Sequence, residues 1–325
     1  MSADSTPEVV EGRSANNSDV GGHRSGFACF VGRPNTGKST LTNALVGSKI
    51  AIASSKPQTT RHAIRGIVTR PEAQLIVIDT PGLHRPRTLL GERLNDLVRA
   101  TWSEVDVIGV CVPANERIGS GDKYLVGEIA ALPKKPALVA IATKSDLASP
   151  AAMTEHLLRI AALEAEHGIE WTHIVPVSAV MGDQLDVLCE VLVGLLPQGP
   201  LLYPEGELTD EPAEILVAEL IREAALEGAR DELPHSITVT VEEMGLRADR
   251  PDDHPLLDVY ASIIVERDSQ KGIVIGHRGS VLRGIGATAR RQIEALLGTP
   301  VYLDLRVKVL KEWQRDPKHL NRLGF

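Results

Sequence analysis

"FACFVGRPNTGKST", Phe27 to Thr40, is an apolar run that stops at a glycine, crosses a short polar loop and enters a helix-forming segment at Lys38. Gly32, Gly37, Lys38 and Ser39 fit the spacing GxxxxGK[ST], and a strand before with a helix behind is the setting in which that spacing holds phosphate. The glycines let the backbone curl so that successive N–H groups converge, with Asn35, Thr36 and Thr40 part of the same cradle, and the helix start adds a favourable field. Lys38 can pair with the β and γ phosphates, and the Ser39 hydroxyl can ligate magnesium. The pattern specifies a nucleoside triphosphate and leaves the base open.

Working outward, apolar strand candidates recur at "QLIVIDTPG", "DVIGVCVP", "PALVAIATK" and "THIVPVSA", separated by segments long enough for crossover helices. Such alternation predicts an α/β domain with a mostly parallel sheet covered on both faces. The strand "LIVID" delivers Asp79 at its end as a magnesium partner for Ser39, and the N–H of Gly82 in "DTPG" is placed to meet the γ phosphate. In the polar loop "SKPQTTRHA", Thr60, in preference to Thr59, offers a hydroxyl to the metal. A loop held only while γ phosphate is present is a switch.

Base choice falls to "IATKSD" and "VPVSAV". Asp146 can accept from both guanine N1–H and the exocyclic amine, a donor pair that adenine lacks. Lys144 can lay its stem over the base, and Ser178 and Ala179 follow the last strand, where the Ala179 N–H can meet O6. Together "GRPNTGKST", Thr60, "DTPG", "TKSD" and "SA" resemble the guanine-nucleotide set of the translation-factor class of GTPases. That class carries Asn where this chain has Thr143; threonine has no amide to bridge base and loop, so guanine selectivity through Asp146 with weaker binding is expected. Leu83 follows "DTPG" where Ras-like enzymes place a water-orienting glutamine. Asn35 resembles the asparagine of potassium-assisted GTPases, which puts Lys38, Asn35, Thr60 and Gly82 on the catalytic list; a second reading of Asn35, that it only stabilises the loop turn, stays open. His62, His84 and Arg85 read as loop surface, and Arg61 and Arg65 as candidate partner contacts.

Near the other end, "GIVIGHRGSVLRGIG", Gly272 to Gly286, is glycine-rich yet lacks Gly-Lys-Ser/Thr, so it cannot repeat the triphosphate chemistry. Its core is GxxG: Gly276, His277, Arg278, Gly279. Between two short helices such a turn lets a nucleic-acid backbone approach, while Ile275 and neighbouring aliphatics (Ile273, Val274, Val281, Ile285) offer an apolar groove for unpaired bases. The order α, β, β, α, glycine turn, α, β over this part resembles a type II KH domain, an α+β RNA-binding fold.

These readings divide the chain into a polar tail, 1–25, expected to be disordered and not a signal peptide; a nucleotide domain, 26–198; a Pro- and Gly-rich linker, 199–212; and the KH-type unit, 213–325. Three cysteines, Cys29, Cys111 and Cys189, without CxxC spacing argue against disulfides and zinc and for a reducing compartment. The net charge of −8 is uneven: residues 267–325 hold 12 Lys/Arg against 5 Asp/Glu, an excess of +7, which leaves −15 for the rest. A confined basic surface permits a polyanion partner that the total would discourage.

The joined order of the two signatures resembles the bacterial Era GTPase family from about residue 27 to 315. The resemblance implies a slow GTPase using GTP/GDP and Mg2+, with K+ assistance through Asn35. It implies binding to the 3′ end of 16S rRNA, a role in assembling the 30S ribosomal subunit, a monomeric chain and a cytoplasmic location, where any membrane contact is peripheral. Thr143, the lysine-free GHRG and the long polar tail depart from the family pattern. A nucleotide-gated RNA scaffold with negligible turnover and a membrane-associated regulatory GTPase are the competing readings.

Overall fold

The structure is a computed structural model, and it describes residues 22–52, 60–83, 86–228, 236–248, 250–251 and 253–325. The expected tail at 1–25 lies almost wholly outside them. The first unit runs β1 (Arg24–Val31), α1 (Lys38–Val46), β2 (Ile64–Arg70), β3 (Ala73–Asp79), α2 (Leu89–Glu104), β4 (Val107–Pro113), α3 (Ser120–Ala130), β5 (Ala137–Thr143), α4 (Pro150–His167), β6 (His173–Val177) and α5 (Leu185–Gly194). Its six strands are ordered β2-β3-β1-β4-β5-β6, with every pair parallel except β2 with β3. All seven residues of β3 and of β4 are buried, as sheathing on both faces requires.

Chain order reverses on either side of β1, which pairs with β3 on one edge and β4 on the other. Ligands of open α/β sheets bind beyond the carboxyl ends of the strands at such a point. Register brings the motifs there: Phe30 pairs with Asp79, Pro113 with Thr143, and Thr143 with Val177. Residues distant in sequence therefore leave the sheet side by side.

The second unit runs α6 (Ala213–Gly228), β7 (Thr238–Leu246), β8 (Leu257–Val265), α7 (Asp268–Ile275), a single 3-10 turn at His277–Gly279, α8 (Ser280–Leu297), β9 (Val301–Val309) and α9 (Pro317–Arg322). Its sheet is β7-β8-β9, antiparallel then parallel. One face packs on α6, α7 and α8 through Val217, Ile221, Ile263, Val274, Ile285 and Ile293.

The stretch between the units lies against the first sheet. The Ile67 N–H donates to Leu208 O at 2.9 Å, and the Gln74 side chain accepts from the Leu202 and Tyr203 N–H groups. The units also share apolar cores: Ile52 joins the KH-side cluster, and Leu90 and Leu94 of α2 pack with Ile264, Trp313 and Leu320.

Candidate functional site

The phosphate loop connects β1 to α1. Asn35 (φ 64°) and Gly37 (φ 94°) turn it through the left-handed region, a conformation asparagine tolerates better than most side chains. A Cβ at Gly32 would sit 2.5 Å from Thr36 Oγ1 and 2.8 Å from Cys111 O, so β4 approaches too closely for any other residue. Arg33 is held off the loop by Asp122 (2.7 Å) and Glu116 (3.0 Å) at the start of α3 and the turn before it. The Lys38 ammonium donates to Gly32 O (3.1 Å) and Arg33 O (3.2 Å). Burial pushes its pKa down, opposed by the nearby Asp79 carboxylate. A Cβ on Gly82 would lie 3.6 Å from Lys38 Nζ and 3.4 Å from Pro34 N, so the "DTPG" turn folds back onto the loop.

Ser39 and Thr60 converge on Asp79: both hydroxyls donate to Oδ2, at 2.7 and 3.0 Å, and their oxygens lie 3.1 Å apart. Asp79 is fully buried, and its Oδ1 has no hydrogen-bond partner among the described residues. An orphaned carboxylate oxygen beside two hydroxyls is a hard-oxygen set suited to Mg2+, which keeps few protein ligands and takes the rest from phosphate and water. Burial raises the Asp79 pKa against the Ser39 bond, the Lys38 charge and the Thr60 bond. Thr59 lies outside the described residues, as do His84 and Arg85. Leu83 is a core residue, packed with Val98 and Trp102.

Beside the loop is a cavity of about 210 Å³ lined by Gly37, Thr40, Thr143, Lys144, Asp146 and Ala179 among others. The Thr143 hydroxyl donates to Thr36 O at 2.7 Å. Lys144 takes a left-handed turn (φ 57°) into the 3-10 segment Ser145–Leu147, which presents Asp146. The Ser178 hydroxyl donates to Asp146 Oδ1 at 2.6 Å and accepts from the Met181 N–H, so it orients the carboxylate.

Sequence reading missed the use made of Arg61. It is 1% exposed, and its Nη1 donates across to Ile237 O at 2.7 Å in the KH unit. Its guanidinium lies 5.5 Å from the Trp313 ring centre, and Trp313 Nε1 donates to Ser236 O. His62 stacks on Phe325 at 4.9 Å, and Phe325 on Trp313 at 5.9 Å. Burial, with Arg222 close by, pushes the Arg61 pKa down to about 9, so the group stays cationic at neutral pH. Arg61, read as a candidate partner contact, is therefore an interior residue joining two units; the half-buried His62, read as loop surface, packs on the KH unit; and Arg65 pairs with Asp210 of this same chain. A polar "TTRH" string carries no periodicity that reveals this packing.

At the second glycine loop, Gly276 (φ 70°), Arg278 (φ 49°) and Gly279 (φ 76°) form a tight turn. A Cβ on Gly276 would meet Val281 Cγ2 at 2.4 Å, which fixes the close approach of α7 and α8. His277 and Arg278 are exposed and Ile275 is half-buried. Of the aliphatics expected in the groove, Val274 and Ile285 belong to the core and only Ile273 is openly exposed. Arg283, Arg290 and Arg291 are exposed along α8, Arg290 within 3.9 Å of Glu294, and the exposed Lys308 pairs with Glu242.

A family model described as "50S ribosome-binding GTPase" matches residues 27–144, and one described as "KH domain" matches 232–314. GTPase Era of a Nocardioides species is 68% identical over 303 residues, 93% of this chain and 96% of that one. A crystal structure of an Aquifex aeolicus Era variant bound to GDP·AlF4− superposes with a TM-score of 0.86 at 35% identity, covering 93% of this chain and 99% of that one. An Era in complex with MgGDPNP and nucleotides 1506–1542 of 16S ribosomal RNA gives 0.87 at 37% identity with the same coverage. With that similarity running across both units and the motifs converging beyond the carboxyl ends of the strands, the chain belongs to the Era family of GTPases.

Proposed function

We propose that this GTPase binds the 3′ end of 16S rRNA through Gly276, His277, Arg278, Gly279 and Ile275, assists 30S subunit assembly, and is switched by its nucleotide. One observation carries the reading: Thr60, on the metal side of the nucleotide site, is followed directly by Arg61, which is buried in the KH unit. Any movement of Thr60 pulls on the domain that holds RNA. The relative solved with MgGDPNP and 16S rRNA nucleotides supports it, because its likeness spans both units in one superposition. No described helix is long and apolar enough to cross a membrane, and the free thiols Cys29, Cys111 and Cys189 are buried; a cytoplasmic setting agrees with both.

In the mechanism, the loop amides from Gly32 to Thr40 and the Lys38 ammonium grip the phosphates, and Gly82 offers its N–H to the γ phosphate. Ser39, Thr60 and Asp79 would hold Mg2+, which when bound neutralises charge on the β and γ phosphates. Asp146, oriented by Ser178, selects guanine; Ala179 meets O6; Lys144 covers the base. Water is not oriented by Leu83, which is buried in the core. Neither nearby arginine serves as a finger: Arg33 is tied to Asp122 and Glu116, and Arg61 is turned into the KH unit. Unstimulated turnover is therefore slow, on the order of 10⁻³ s⁻¹, as for GTPases lacking an arginine finger. Rates in K+ and Na+ decide the two roles of Asn35: faster hydrolysis in K+ assigns it to the cation, equal rates to the turn.

The reading as a whole is tested by binding of a 16S 3′-end fragment against a scrambled single strand of equal length. Preference for the ribosomal sequence supports it; equal binding removes the 3′ end as the target.

A further inference from the structure

We infer that the base site recognises guanine without reading N7, so that 7-deazaguanine nucleotides bind as well as guanine nucleotides. The inference rests on the guanine reading of the cavity beside the phosphate loop. Thr143 closes β5, is 5% exposed, and directs its Oγ1 at Thr36 O, 2.7 Å away. A carbonyl has no proton to give, so the threonine is the donor, and a hydroxyl carries one proton only. What Oγ1 then offers the base is lone pairs.

The guanine edge bearing N7 and O6 carries acceptors alone. Facing N7, an oxygen whose proton is already used makes no hydrogen bond. An asparagine there has two N–H donors and can serve loop and base together. Thr143 keeps the loop half of that work: a Cβ at Gly37 would lie 4.0 Å from Thr143 Cβ, which puts it at the junction of loop and cavity. Selectivity against adenine is carried on the opposite edge by Asp146, whose Oδ1 is pinned by Ser178. Exchanging N7 for C–H therefore removes nothing the protein reads.

The test is calorimetric titration of the full chain with GDP, 7-deaza-GDP and ADP, repeated on Thr143→Asn and Thr143→Val. The unchanged chain should bind GDP and 7-deaza-GDP within about twofold, and Thr143→Asn should favour GDP by roughly 3- to 10-fold, the worth of one restored hydrogen bond. Thr143→Val, near in shape but without the loop tie, should weaken both guanine nucleotides in parallel and leave their ratio unchanged. A preference of the unchanged chain for GDP over 7-deaza-GDP above about threefold overturns the inference, as does a Thr143→Asn ratio still at unity or a shifted ratio in Thr143→Val. ADP binding as tightly as GDP overturns the guanine reading, and this inference with it; GDP favoured over ADP with discrimination at N7 overturns the inference alone.

Discussion

Replacing Arg61 with methionine keeps an apolar stem of similar reach and removes the guanidinium that links the switch loop to the KH unit. The lost contacts include a charged hydrogen bond to Ile237 O at 2.7 Å and a cation–π contact with Trp313 at 5.5 Å. In a buried setting the first is worth about 1.5–3 kcal/mol and the second about 1–2 kcal/mol. Against this, burial and Arg222 already disfavour the charge on Arg61. Leaving Ile237 O without its donor costs about 1–3 kcal/mol, offset in part because a charge no longer has to be buried, so the variant should lose on the order of 1–3 kcal/mol and remain folded. Coupling between two sites typically amounts to about 1–3 kcal/mol, and a link of this size can carry all of it. The assay is fluorescence anisotropy of a labelled 16S 3′-end fragment, titrated with the GDP form and the GDPNP form of each protein. In Arg61→Met the two affinities should draw to within about twofold of one another, whichever form is tighter in the unchanged chain. A folded variant that keeps the full affinity ratio refutes Arg61 as the link.

Other perturbations probe the remaining parts. Because burial raises the Asp79 pKa, the carboxylate that would bind metal is protonated, as pH falls, before an ordinary aspartate would be. Mg2+-dependent GDP affinity should therefore weaken above the ordinary aspartate range, and a profile that falls only inside that range contradicts the burial argument. Arg278→Ala should weaken RNA binding by roughly 3- to 10-fold and lower the salt slope by about one, with GDP affinity unmoved; an unchanged salt slope removes Arg278 as a phosphate contact. Gly276→Ala forces a Cβ to 2.4 Å from Val281 Cγ2 at φ 70°, and thermal denaturation should register a loss of about 1–3 kcal/mol. Gly272→Ala, inside the preceding helix α7 with open space at its Cβ, is the control and should be neutral or stabilising by up to about 1 kcal/mol; equal losses at both glycines would contradict the packing argument.

The strands legible in the sequence are those buried on both faces, where an unbroken apolar run such as "LIVID" leaves little alternative. β2 escaped because Ile64–Arg70 mixes arginines and a glycine into an edge strand paired on one side only. α9 escaped despite a signal, Asp316 before Pro317, whose side chain accepts from the Lys318 N–H at 2.7 Å. Chemistry-bearing spacing placed Ser39, Asp79, Thr143 and Asp146 together beyond the carboxyl ends of the strands, where the parallel register brings the strand ends side by side. Spacing could show that Thr143 lacks an amide; it could not show that the hydroxyl serves the loop at Thr36. Contacts across units, Arg61 on Trp313 and His62 on Phe325, join residues more than 250 positions apart and leave no local pattern.

The central claim is that nucleotide site and RNA groove form one coupled device. Its most direct test is the affinity of the unchanged chain for a 16S 3′-end fragment in the GDPNP state and in the GDP state, at one salt concentration. The account predicts a difference of at least about fivefold between the two states; equal affinities in both would contradict it.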